Sequence, residues 1–350
     1  MVADPDSLIS KADISELFES YKFVELETNE EALFGMVFLG KTNHDKIYLM
    51  PIGGKTGLKV FSLETGKYIT SISKEGRGPG EYQFMFDLAF DRNGSLYLLS
   101  GRKVIEFDST GKFRDEYKLP FQADNISCLW NDKFVLGTMY GGPEITIVNN
   151  KFKTLETHFP YEIYRNSYSN LLQEVNGNCY YFKPNFGTFY KIDDEKATPF
   201  LEITVEGFTP NKEITLKAIK KLGTSELTLA NDYHKDLRQN GYSPFNFLIN
   251  SKQFYGTFFH QETRYLLQYS INTNRYRIYD LDYLNNDITG DNGNFTHITL
   301  TENDELICLI QPYGLLSKEK AEINTYLAKV FRKVNEESNP ILFIGKLKSF

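Results

Sequence analysis

The chain has 350 residues, a formal net charge of −7, 41% hydrophobic residues and 15% aromatic residues. That length holds two ordinary domains or one large repeat array, and the apolar content is ample for a packed core. Net negative charge without clustered Lys and Arg argues against a nucleic-acid partner, and no apolar run approaches the roughly 18 residues of a membrane helix.

The 23 Tyr and 28 Phe against a single Trp, Trp130, favour strands over helices, because aromatic side chains fit a pleated, half-buried surface. The opening Met1-Val2-Ala3-Asp4-Pro5-Asp6-Ser7 lacks the basic region and apolar core of a signal peptide. Asp6 to Tyr21 reads as a short amphipathic helix, and Lys22 to Leu26 as a strand. From there one phrase recurs: a polar turn, an apolar strand, a loop, a second strand ending in an aromatic, and another turn. Its clearest form is Asp91 to Phe113.

The first strands of the copies begin at His44-Asp45-Lys46-Ile47, Asn93-Gly94-Ser95-Leu96 and Asn131-Asp132-Lys133-Phe134. Further copies begin at Asn176-Gly177-Asn178-Cys179, Asn250-Ser251-Lys252-Gln253 and Asn303-Asp304-Glu305-Leu306. Asn, Asp and Gly open them because these residues tolerate the left-handed backbone of tight hairpins. The second strands are Leu58 to Phe61, Val104 to Phe107, Ile145 to Val148, Phe189 to Ile192 and Leu266 to Tyr269. A four-stranded unit of about 40 to 50 residues fits this spacing, so the expected fold is all-β, a six-bladed β-propeller of four-stranded antiparallel blades.

The step from Tyr181 to Tyr255 is longer than the others, and 211–239 within it has the apolar period of a helix, with Ile214, Leu216, Ile219 and Leu222 among charged residues. A second helical insertion is predicted over 317–335, with Ala321, Ile323, Leu327 and Val330 as its stripe. The strand at 22–26 and another at 340–344 have no local partner. Pairing them closes the ring and removes two exposed edges, so 1–350 is expected to form one domain.

Ser73-Lys74-Glu75-Gly76-Arg77-Gly78-Pro79-Gly80-Glu81-Tyr82 resembles a signature of six-bladed β-propeller proteins of the Bacteroidetes, similar to NHL-repeat propellers and described chiefly as lipoproteins. Val24-Glu25-Leu26-Glu27-Thr28, Val60-Phe61-Ser62 with Gly66-Lys67, and Asn339-Pro340-Ile341-Leu342 with Lys346-Leu347-Lys348 fit as well, so the resemblance spans almost the whole chain. Gly-Pro-Gly-Glu-Tyr is its specific element. The resemblance implies a cell-envelope location, periplasmic or lipid-anchored, although this sequence lacks the export signal and lipid-modified Cys with which members usually begin. It implies no reaction.

Gly76 to Gly80 is not a phosphate loop, since no Gly-Lys-Ser or Gly-Lys-Thr follows. It reads as the crossing from one blade to the next, at the mouth of a channel, which makes Arg77, Glu81 and Tyr82 candidate ligand contacts. Loops sharing that face add Arg102, Tyr140, Phe186, Arg264 and Tyr313, where aromatic faces beside Arg suit sugars or peptides. Ordinary packing is the competing reading of these aromatics.

The five histidines (His44, His158, His234, His260, His297) do not fall at metal-ligand spacing, and the nearest arrangement is His260-Gln261-Glu262. A lactonase-type calcium site would need inward acids and amides such as Asp87, Asn125 and Asn170. No Gly-x-Ser-x-Gly elbow is present, and a sialidase or kelch pattern would need more Trp. Cys128, Cys179 and Cys308 read as small buried side chains, with a disulfide between two of them left open.

The sequence therefore predicts a binding or scaffold propeller without cofactor or metal, monomeric, engaging a glycan, peptide or partner protein through its channel face. The alternative is a metal-dependent lactonase- or lyase-like hydrolytic propeller.

Overall fold

The computed structural model describes residues 2–3, 8–9, 11–52, 57–72, 75–129, 131–138, 142–160, 172–175, 177–183, 188–193, 196–205, 243–260, 263–289, 295–312 and 334–350. In chain order the first strands are β1 (Val2–Ala3), β2 (Leu8–Ile9) and β3 (Ala12–Asp13), then a 3-10 turn at Ile14–Leu17 and β4 (Phe18–Glu25). Next come β5 (Val37–Asn43), β6 (Lys46–Pro51), β7 (Leu58–Ser62), β8 (Tyr68–Ile72), β9 (Asp87–Phe90), β10 (Leu96–Leu99), β11 (Lys103–Phe107) and β12 (Phe113–Lys118). They are followed by β13 (Asn125–Cys128), β14 (Phe134–Gly137), β15 (Ile145–Val148), β16 (Thr154–His158), β17 (Leu172–Val175), β18 (Asn178–Lys183), β19 (Thr188–Ile192), β20 (Ala197–Glu202) and β21 (Thr204–Val205). The last are β22 (Ser243–Ile249), β23 (Gln253–His260), β24 (Thr263–Ser270), β25 (Arg275–Asp280), β26 (Leu284–Asn285), β27 (Phe295–Leu300), β28 (Glu305–Ile310) and β29 (Ile341–Leu347).

These strands build six blades of four antiparallel strands in a propeller arrangement. The chain divides into two compact units of three blades each. One unit, Ala12–Tyr117 with Asn285–Ser349, holds the sheets β5 to β8, β9 to β12, and β27-β28-β29-β4. In the last of these, strands from opposite ends of the chain pair antiparallel, Ile341 facing Glu25 and Phe343 facing Phe23. The other unit, Met1–Lys11, Lys118–Leu284 and Phe350, holds β13 to β16, β17 to β20, and β22 to β25.

Strands such as β6 and β18 are apolar on both faces because a core lies on each side of their sheets. On β6, Ile47 and Leu49 enter a core with Val24, Phe61, Ile298, Ile307 and Leu342. The alternate residues Tyr48 and Met50 enter the opposite core with Leu58, Val60, Leu88, Leu98 and Ile105. The same period of two sorts β18: Tyr180 and Phe182 join Phe189, Phe247 and Phe254, while Cys179 and Tyr181 join Val135, Ile147 and Ile192. A one-residue slip would exchange the two sets, so register is tightly specified.

The repeated turn residues have a local cause. Asp91 Oδ1 accepts the backbone N–H groups of Asn93 (2.9 Å) and Ser95 (2.8 Å), and Asn250 Oδ1 accepts those of Lys252 (2.8 Å) and Gln253 (2.7 Å). One left-handed position recurs just before the second strand of a blade and is filled by Gly94 (φ 75°), Asp132 (φ 61°) or Asp304 (φ 62°). Gly and short polar residues tolerate that backbone best.

Two expectations need correction. Asp6 to Tyr21 is not a helix: its described residues form β2, β3, the 3-10 turn and the start of β4. Ile14, Leu17, Phe18 and Tyr21 match a helical period over a short window, but pairing with β29 wins. Phe18 lies over Gly345, where a Cβ would be 2.5 Å from its ring, and packs edge-on against Phe343 at 4.9 Å. The helical insertions expected at 211–239 and 317–335 are not part of the described architecture: 211–239 and 317–333 lie outside the described residues, and Val334 and Asn335 are irregular. The two strands of each copy are the second and third strands of their blade, another strand such as β9 preceding them.

Candidate functional site

Strand direction collects several loops at one end of the unit containing β5 to β12. The chain enters β5 and leaves β6 there, Ile52 N–H donating to the Met36 carbonyl at 2.7 Å. In the next blade Phe86 N–H reaches the Leu99 carbonyl at 2.9 Å. The crossing from β8 to β9, which carries Gly76 to Tyr82, therefore emerges at the same end as the β6–β7 and β10–β11 turns.

The crossing is held by its own residues. Gly76 N–H donates to the Tyr82 carbonyl (2.8 Å), Glu81 N–H to the Gly78 carbonyl (3.1 Å), and Gly78 N–H to Glu81 Oε2 (2.8 Å). The Lys103 ammonium donates to the Glu81 carbonyl (2.8 Å) and to Glu116 Oε2 (3.2 Å). A Cβ on Gly76 would lie 2.0 Å from Glu81 Oε2, so any side chain there would displace that carboxylate. Gly80, at φ 74°, would press a Cβ within 2.8 Å of the Phe113 ring.

Tyr82 is buried in the core between the two blades. Burial pushes its hydroxyl above the ordinary phenol value, a backbone hydrogen bond from Gly57 opposes this, and the negative Glu75 adds to it. The signature loop is thus a clasp: the half-buried Glu81 turns back onto Gly78, Tyr82 is buried, and Arg77 is exposed.

Arg102 is exposed in the β10–β11 turn, and Arg264 is exposed on β24 in the other unit, opposite Phe259 in register. Tyr140, Phe186 and Tyr313 lie outside the described residues, as does Asn170. Asp87 is buried with the Lys41 ammonium at 2.7 Å, which supplies the positive charge a cation would otherwise bring. Among the described residues no three His, Cys, Asp or Glu side chains group to hold a metal ion. Cys128, Cys179 and Cys308 are buried free thiols, and burial raises Cys308 well above the usual thiol range, away from the reactive thiolate.

Sequence reasoning missed the apolar part of this end. Met36 is 66% exposed, Phe38 46%, Ile52 51% and Phe84 72%. A signal was present: Met36-Val37-Phe38-Leu39 and Phe84-Met85-Phe86 are unbroken apolar runs where a polar turn should lead into a strand. Alternation buries Leu39 and leaves Phe38 outward.

The chain belongs to the family of a domain of unknown function, DUF4934, whose profile matches residues 3–346. A protein described as exported, from Bacteroides fragilis NCTC 9343, shares the fold with a TM-score of 0.83 at 18% identity, over 98% of this chain and 100% of that one. The extracellular domain of a protein described as a one-component system from B. thetaiotaomicron matches at 13% identity and a TM-score of 0.41, over 87% of this chain and 36% of that one. No curated protein matches the chain. Among the described residues no helix is long and apolar enough to cross a membrane.

Proposed function

We propose that this propeller is a non-enzymatic binding module of the bacterial cell envelope that engages a peptide or partner protein at the end bearing the Gly76–Tyr82 crossing. The observation that carries the reading is the exposure of Met36, Phe38, Ile52 and Phe84 at that end, with the exposed cations Arg77 and Arg102 on neighbouring loops. Exposed large apolar side chains rimmed by polar groups are the mark of an interaction surface. Met adapts its shape to apolar partner side chains, and aromatic residues and Arg supply the anchors typical of protein interfaces. A glycan site would instead present aromatic faces among hydrogen-bonding groups. The cell-envelope location rests on the resemblance of the signature loop and on the exported protein of the same fold.

The test is a displayed peptide library and a glycan array, both probed with the folded protein. Selected peptides should bind the Phe38→Ser, Ile52→Ser double variant at least tenfold more weakly, with an unchanged far-ultraviolet circular dichroism spectrum. Glycan binding that survives the double substitution, or peptides indifferent to it, would overturn the reading.

A further inference from the structure

Two short strands near the start of the chain, β1 and β2, add to strands of the unit that contains β13 to β25. Val2 and Ala3 pair in parallel with Thr204 and Val205 of β21, forming a separate two-stranded sheet. Leu8 and Ile9 then pair in parallel with Ile278 and Tyr279, making β2 a fifth strand on the outer edge of β25. Each addition involves two residue pairs, although β25 itself is six residues long. An uncovered outer strand presents a row of backbone donors and acceptors that templates a further strand. The last residue reaches the same strand: the Arg277 guanidinium lies 4.6 Å over the Phe350 ring, and Thr273 Oγ1 donates to the Phe350 oxygen at 2.7 Å.

We propose that the outer edge of β25 is a strand-addition site for an extended chain segment, that Leu8–Ile9 are its resident occupant, and that the same residues of a second copy take their place when the resident leaves. Recognition through backbone pairing needs an extended peptide of compatible side chains rather than a shaped ligand. The second copy's segment is the natural competitor because it carries the same residues in the same register. The resident wins in the intact chain because tethering holds it at high effective concentration. The segment is thus both a cover for an aggregation-prone edge and the part exchanged between copies.

The probe is a fluorescently labelled synthetic peptide of residues 1–13, followed by anisotropy. The chain lacking residues 2–9 should bind it saturably and at least tenfold more tightly than the intact chain. The same peptide carrying Leu8→Pro and Ile9→Pro should bind neither, since proline cannot donate to the ladder. Should the truncated chain fail to fold, the full chain with Leu8→Pro and Ile9→Pro opens the edge while keeping its length, and should capture the unmodified peptide likewise. Equal binding to intact and opened chains, or indifference to the prolines in the peptide, would overturn the proposal.

Discussion

The Lys41 ammonium lies 2.7 Å from Asp87 Oδ1, joining the first strands of two neighbouring blades, β5 and β9. It also donates to the Leu88 carbonyl at 2.6 Å, and Asp87 Oδ1 accepts the Leu88 N–H at 2.7 Å. The Asp87 side chain is 2% exposed and that of Lys41 18%. Removing one partner strands a buried charge. Lys41→Met should therefore destabilise the protein by about 3–5 kcal/mol, whereas Lys41→Met with Asp87→Leu should recover most of the loss. Urea midpoints of the two single variants and the double variant measure the coupling; additive losses would show that the pair acts independently.

Gly66 should tolerate no side chain. Its φ is 69°, and a Cβ would lie 1.9 Å from the Glu25 carbonyl oxygen. The Gly66 carbonyl accepts the Glu27 N–H at 2.9 Å, tying the β7–β8 hairpin to the chain leaving β4. Left-handed strain alone costs roughly 1–2 kcal/mol, so Gly66→Ala should cost at least about 2 kcal/mol once the backbone clash is added. Thermal unfolding of the alanine variant gives the value.

Phe152 holds a left-handed position with φ 56°, in the β15–β16 hairpin where the β7–β8 and β11–β12 hairpins use Gly66 and Gly111. Two effects oppose each other at Phe152→Gly. Relief of strain returns about 1–2 kcal/mol. The buried ring, stacked 4.8 Å from Phe134, is worth about 3–5 kcal/mol. The variant should be less stable by about 1–4 kcal/mol, and a gain in denaturant midpoint would reverse that ordering.

Alkaline pH should act on the core. Burial raises the hydroxyls of Tyr48, Tyr82, Tyr117, Tyr265 and Tyr269, helped at Tyr117 by its hydrogen bond to Glu106. The unfolded phenols ionise first, near 10, so this stability is complete below about pH 10 and is lost as pH rises through the higher folded values. Lys59 acts in the opposite direction. It is almost fully buried against the Glu31 carbonyl, and burial lowers its ammonium while Glu31 resists the shift. Its contribution therefore improves as pH rises from the lowered folded value toward the ordinary lysine range. The phenolate absorbance lost on replacing Tyr48 with Phe should appear together with loss of β-sheet circular dichroism above pH 10, and Lys59→Met should flatten the rise below it. A Tyr48 phenolate signal well before unfolding would contradict the assignment.

The blade count was legible because alternation on strands such as Ile47-Tyr48-Leu49-Met50 is set locally, as are the Asn and Asp turns that open them. The segment before β4 was not. Leu17 and Phe18 carry the same apolar signal for a helix as for a turn followed by a strand, and only β29, distant in sequence, decides between them. The candidate site was legible in its loops and not in its roles. Gly76-Arg77-Gly78-Pro79-Gly80-Glu81-Tyr82 announced a special turn, yet whether Glu81 faces a ligand or its own Gly78 depends on side-chain direction, which spacing does not encode. Phe38 and Phe84 could not be told from core residues, because hydrophobicity reports what prefers burial, not what achieves it.

The pairing of β4 with β29 also has a meaning in time. During synthesis the outer strand of that blade emerges before the other five blades, and the strand it pairs with emerges after them. Throughout elongation β4 carries an open edge, and β28 waits for the strand that will separate it from β4. Assembly of this blade therefore falls after the other five blades have been synthesised, and loss of residues 341–347 would leave both neighbours exposed, a state vulnerable to aggregation and proteolysis.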